Sequence, residues 1–119
     1  MNRVNVNVLS AADTATQTGI MIDSSNFFAA SFQAVFGDAT AVGSINIQAS
    51  NDLYANKYLD NTTLFTPTNW TTVGTAAVTA GASVVISLNN MSFRWLRVVY
   101  TSTSGGSTTV NVNMYATEA

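Results

Sequence analysis

At 119 residues the chain has the length of one domain, able to bury about two-thirds of the surface its unfolded form exposes, and no second domain is expected. Cysteine and histidine are both absent, which removes disulfides, thiolate chemistry, imidazole bases and most zinc sites. Only 8% of the residues are charged, the net charge is -2, and the four cations Arg3, Lys57, Arg94 and Arg97 are too few to neutralise a nucleic-acid backbone. Thirteen Asn, 17 Thr and 12 Ser, 42 residues in all, fill positions where an ordinary soluble domain carries about a quarter charged residues. Such a surface suits packing against other protein, or hydrogen bonding to a neutral polar ligand such as a glycan.

Met1-Asn2-Arg3 runs directly into alternating Val and Asn without an apolar h-region, so no secretory signal is expected and the chain is read as soluble and unprocessed. Residues 4–9 alternate with period two and form the first strand. Residues 19–22 are a short second. Residues 28–36 are a third, with Phe28, Ala30, Phe32, Ala34 and Phe36 on one face and Ser31, Gln33 and Val35 on the other; this stretch is too short to span a bilayer, and no membrane partner is expected. Gly37-Asp38 turns the chain. Residues 44–49 follow, with Ile45 and Ile47 inward and Asn46 and Gln48 outward, ended by Ser50-Asn51-Asp52, whose side chains bond their own backbone.

Alternation disappears from 53 to 68, a long loop or insertion holding the only Lys and the only Pro. Loops of this length are uncommon in compact domains and often carry function, which singles out Tyr54, Lys57, Tyr58, Leu64 and Phe65; the structural alternative is a short helix or an arm covering the end of the sandwich. Strands resume at 70–73, 84–88 and 94–101 and end with 108–115. Ser104-Gly105-Gly106-Ser107 supplies the turn of a C-terminal hairpin. Seven to nine short strands predict an all-β antiparallel sandwich of jelly-roll or related Greek-key topology, in which the Val-Asn echo at the two chain ends marks two similar strands.

Chemistry is sparse. A glycosidase needs two carboxylates at a fixed separation, and Asp52 with Asp60 is the only pair in one loop; aspartates after strands more often cap turns. Asn51, Asp52 and Asp60 could offer oxygens to calcium, but no run of acidic oxygens at alternate positions supports it. Gly105-Gly106 opens no helix and is not a phosphate loop. No cofactor and no metal are expected, and the Asn-x-Ser/Thr matches at Asn61, Asn69 and Asn90 are what chance supplies in a chain this rich in Asn and Thr. The densest segment is 93–100, where alternation puts Arg94, Leu96, Val98 and Tyr100 on one side and Phe93, Trp95, Arg97 and Val99 on the other. An arginine beside an aromatic can stack a sugar or anchor a protein partner. The bland alternative is a central strand whose arginine stems lie along apolar surface, with heads paired to Asp52 or to rim carbonyls.

The run Phe32-Gln33-Ala34-Val35-Phe36, then Gly43 through Asp52, Asn69-Trp70-Thr71, Arg94-Trp95-Leu96-Arg97-Val98-Val99-Tyr100 and Ser104-Gly105-Gly106 resembles small β-sandwich proteins of tailed-bacteriophage virions, over 27–115. The layout is also similar to discoidin-like and carbohydrate-binding sandwiches. The chain departs from the phage pattern by the insertion at 53–67. The resemblance implies a virion component without catalytic residues, made in the host cytoplasm: a capsid decoration or minor capsid protein in many copies, partnered with the major capsid or other virion proteins. It also implies a homo-oligomer, with a homotrimer preferred. The alternative is a glycan-binding module of an adsorption fibre, with Tyr54, Tyr58 and Trp70 stacking the sugar. Tyr54, Lys57, Tyr58, Phe65, Trp70, Arg94 and Arg97 are the candidate interaction residues.

Overall fold

The computed structural model describes residues 2–12, 16–37, 39–52, 67–104 and 109–118. Among these residues there is no helix, and the β-branched and aromatic runs form nine strands: β1 (Arg3–Ala12), β2 (Gln17–Thr18), β3 (Ile22–Asp23), β4 (Phe27–Phe36), β5 (Val42–Ser50), β6 (Thr71–Val78), β7 (Val84–Leu88), β8 (Trp95–Ser104) and β9 (Thr109–Glu118). All pairings are antiparallel. One sheet is ordered β1-β9-β4-β7 and the other β2-β8-β5-β6, with β3 continuing β2 along the same edge of β8.

Taken as one interrupted strand, β2 and β3 complete a pattern in which the first strand pairs with the last, the second with the penultimate, and so inward to β5 with β6. That is a long hairpin folded over on itself, the jelly roll, and it selects among the sandwich topologies expected. It also corrects one expectation. β8 and β9 do not form a hairpin: β8 lies between β5 and β2 while β9 lies between β1 and β4, in the opposite sheet. Residues 105–108, which join them, lie outside the described residues.

The core lies between the two inner faces. Val8, Leu9, Phe32, Ala34, Val110, Val112 and Met114 supply it from one sheet, and Ile45, Ile47, Leu96, Val98 and Tyr100 from the other. Ile45 and Ile47 point inward as expected. Phe28 does not: it is 48% exposed, although it shares parity with the buried Ala30, Phe32, Ala34 and Phe36. The register against β9 steps from Phe27↔Glu118 to Ala29↔Thr117, so Phe28 is the extra residue of a bulge and Phe27 packs against the core in its place. A second bulge sits in β1, where the register steps from Asn7↔Asn113 to Leu9↔Val112 and both Val8 and Leu9 become buried.

Gly19 ties the sheets together at one end. Its N–H donates to the Val98 carbonyl (2.8 Å) and the next N–H, Ile20, donates to the Val8 carbonyl (3.0 Å). A side chain at 19 would overlap the Val8 carbonyl oxygen, which is why this close approach takes glycine and why β2 breaks before β3 resumes. Between β6 and β7, Ala80 and Gly81 both have positive φ (53° and 66°) and the Ala82 N–H donates to the Thr79 carbonyl at 3.1 Å, the pattern of a type I′ turn.

Candidate functional site

Two surfaces collect the polar groups. The first is the outer face of the β2-β8-β5-β6 sheet. Arg97 projects outward from β8 opposite Gln48 of β5; its Nε donates to Gln48 Oε1 at 2.8 Å and its guanidinium lies 4.3 Å from the centre of the Trp70 ring. Trp70 stands immediately before β6, and its indole N–H donates to the Pro67 carbonyl at 3.1 Å. One ring face and the indole N–H are therefore already engaged within the protein. Arg94 sits before β8 and is not part of the core row, which consists of Leu96, Val98 and Tyr100, all fully buried. Its backbone N–H donates to Asn51 Oδ1 at 2.9 Å and its guanidinium lies 5.1 Å from the Trp95 ring. Among the described residues neither arginine head pairs with Asp52; Arg97 uses the neutral Gln48 amide instead.

Asp52 is committed elsewhere. Its carboxylate accepts the Thr68 N–H (2.7 Å), the Asn69 N–H (2.9 Å) and the Asn69 Nδ2 (3.1 Å). The backbone N–H of Asn69 and then that of Thr68 hold its pKa below the ordinary carboxylate value, against a smaller opposing effect of burial. The residue thus clamps the chain where it leaves β5 to the chain where it approaches β6. This is the turn-capping role. Of the calcium oxygens suggested by the sequence, Asn51 Oδ1 accepts from Arg94 and the Asp52 carboxylate from 68–69, while Asp60 lies outside the described residues. No group of three or more acidic residues able to hold a metal occurs among the described residues. Around this clamp a depression of about 420 Å³ is lined by Asn51, Asp52, Asn69, Val73 and Phe93 among others. Tyr54, Lys57, Tyr58, Phe65, Asp60 and Asn61 lie outside the described residues.

The second surface is the outer face of β1-β9-β4-β7, and residue-by-residue reading of the sequence did not assemble it. The registers align Asn7, Asn113, Gln33 and Val85 in one row across all four strands, and Asn5, Tyr115, Ser31 and Ser87 in the next. Asn7 Nδ2 donates to Asn113 Oδ1 at 3.1 Å, so the amides are already bonded to one another. Val85 (60% exposed), Tyr115 and Val35 add apolar surface. In the rows running from Arg3 across the sheet no other charged side chain occurs. A shallow hollow of about 620 Å³ lies over these residues. The Val-Asn echo of the two chain ends was the available signal: the two similar strands are β1 and β9, and they are neighbours.

No protein-family model matches the chain, and no curated protein matches it in sequence. Solved structures match in shape. SPBc2 prophage-derived protein YomS superposes with a TM-score of 0.59 at 10% identity, over 97% of this chain and 92% of that one. A chain of the Bacillus endospore appendages that form disulfide-linked pili gives 0.47 at 18% identity, over 98% and 85%, and a chain of deformed wing virus carrying the GFP gene gives 0.48 at 7%, over 98% and 44%. The likeness to the prophage-derived protein is one of fold, along nearly the whole of both chains.

Proposed function

We propose that the protein is a non-enzymatic structural component of a tailed-phage virion, a capsid decoration or minor capsid protein that docks in many copies on the major capsid protein or another shell protein. The observation that carries the reading is the outer face of β1-β9-β4-β7, four strands wide, whose Asn, Gln, Ser, Thr, Val and Tyr rows hold Arg3, at the β1 edge, as their single charged side chain. Charged groups are costly to desolvate on docking, whereas amides and hydroxyls exchange water for protein partners at little net cost. Four strands at about 4.8 Å spacing and about 30 Å long present a footprint of roughly 600 Å², close to the ~800 Å² per partner of a standard interface. Fold likeness to a prophage-derived protein supports the setting. Copies associate with each other on the shell, as a homotrimer where they surround a three-fold axis.

The test is incorporation. Gln33→Lys with Asn113→Lys places two like charges side by side in the face while leaving the core untouched. The variant is expected to keep the wild-type circular dichroism spectrum and to be lost from purified virions by mass spectrometry. Undiminished incorporation would remove the face as the docking surface, and absence of the wild-type protein from virions would remove the reading altogether. A glycan-binding module of an adsorption fibre is the alternative. With Trp70 engaged by Arg97 and Pro67, it rests on Tyr54 and Tyr58, and adsorption unchanged in Tyr54→Ala and Tyr58→Ala eliminates it.

A further inference from the structure

The hydrogen-bond phase of β1 shows which of its backbone groups face open space. The Glu118 N–H donates to the Asn2 carbonyl at 2.9 Å, and the register Arg3↔Thr117, Val4↔Ala116, Asn5↔Tyr115, Val6↔Met114 continues that pairing. In an antiparallel ladder, directly bonded pairs recur every second residue. Val4 and Val6 therefore bond to β9, and Arg3, Asn5 and Asn7 turn their N–H and C=O groups the other way. Beyond Asn7 that side is covered, since the Val8 carbonyl accepts from Ile20. From Arg3 to Asn7 no strand pairs with it among the described residues.

Protein edges are ordinarily guarded by charge, brevity, proline or a bulge. The other edges of this sandwich have such guards: β2 and β3 are two residues each, β7 is five, and β6 is broken by a register shift opposite Ile47/Gln48. The stretch Arg3–Asn7 has one charge, no proline and no bulge before Val8.

We infer that this edge pairs with the same edge of a second copy, antiparallel across a two-fold axis at Asn5. This goes beyond the docking reading and does not depend on it. The pairing that sets Asn5 opposite the partner's Asn5 and Arg3 opposite the partner's Asn7 uses all the outward groups, in about six ladder hydrogen bonds. Sliding by one repeat in either direction leaves about four within the same stretch. Sliding by two repeats toward the chain start leaves about two and brings the two arginines opposite one another, and like charges directly opposite destabilise a ladder. The side chains agree with the central register. On one face amide meets amide at Asn5. On the other, Val4 lies opposite the partner's Val6 in the closer, non-bonded kind of pair, and Val6, 40% exposed in the single chain, gains a cover. An edge that is its own complement is satisfied by a two-fold pair, which joins two four-stranded sheets into one of eight. The contact is smaller than a standard interface, so the pair forms at high local concentration, as on a crowded surface.

The absence of cysteine makes the test direct. A bonded antiparallel pair has Cα atoms about 5.5 Å apart, inside the range a disulfide bridges. Asn5→Cys is expected to oxidise to a covalent dimer, Arg3→Cys or Asn7→Cys alone to remain single, and Arg3→Cys with Asn7→Cys to cross-link. Ser87→Cys, exposed on the outer face of the same sheet, reports random encounter. Asn5→Pro deletes an outward N–H without touching the β1–β9 ladder, so it is expected to fold as wild type while abolishing the concentration-dependent dimer in sedimentation velocity. Cross-linking of Asn5→Cys no greater than that of Ser87→Cys overturns the inference. So does a wild-type dimer whose mass Asn5→Pro leaves unchanged.

Discussion

Tyr100 is fully buried in β8, its ring is 5.5 Å from that of Phe36, and its hydroxyl has no hydrogen-bond partner among the described residues. A buried hydroxyl that surrenders water without replacement costs about 1–3 kcal/mol. Tyr100→Phe removes that cost and leaves a void of roughly 15 Å³, worth about 0.4 kcal/mol at ~24 cal/mol per Å³. The ring contact with Phe36 survives. The net expectation is stabilisation by about 1 kcal/mol, read as a rise of about 3–6 °C in Tm for a chain of this size. Urea unfolding should show a higher midpoint with an unchanged slope, because the surface exposed on unfolding hardly differs. Tyr100→Leu keeps the site apolar but forfeits the aromatic pair, worth about 0.5–1.5 kcal/mol, and should destabilise. If Tyr100→Phe lowers the midpoint, the hydroxyl has a partner and the reasoning is wrong.

Phe28→Ser should shift stability by no more than about 0.5 kcal/mol, whereas Phe32→Ala should cost about 3–5 kcal/mol, because the bulge turns Phe28 out of the core and leaves Phe32 in it; equal losses in urea melts would refute the bulge. A double-mutant cycle of Arg97→Ala and Trp70→Ala should give a coupling of about 0.5–1 kcal/mol, with Arg97→Lys failing to restore it, since an ammonium does not reproduce a stacked guanidinium that also bonds Gln48. The Asp52 carboxylate is held below its ordinary pKa by the Asn69 and Thr68 N–H groups. Its contribution is therefore complete above the unfolded-chain value of about 3.9 and is lost as pH falls through the lower folded value. Urea midpoints of wild type and Asp52→Asn should converge across that acid window, and a constant gap would show that the carboxylate charge is not what stabilises the clamp.

Alternation made the strands readable, because a half-buried strand must place its apolar residues at every second position; Ile45 and Ile47 lie inward for that reason. Bulges escaped it. Phe28 obeys the alternation of β4 in sequence and violates it in space, since one extra residue between two partners is set by β9 and not by β4 itself. The Arg97, Trp70 and Gln48 cluster was equally hidden: its members come from β8, the approach to β6, and β5, and only the β5–β8 register brings Gln48 opposite Arg97. Arg97 and Trp70 were separately conspicuous as an arginine and an aromatic, but nothing in their order along the chain joined them.

By itself the sequence determined an all-β chain whose outward positions carry amides and hydroxyls, with no histidine or cysteine for chemistry. Those properties are local, set by side-chain type and period. Only the tertiary structure decided that β8 and β9 part into opposite sheets, that β9 lies between β1 and β4, and that Asn7, Asn113, Gln33 and Val85 become one continuous uncharged row beside an open edge. Strand neighbours are selected by the burial of whole faces against each other, a long-range free energy that no short stretch of the chain contains.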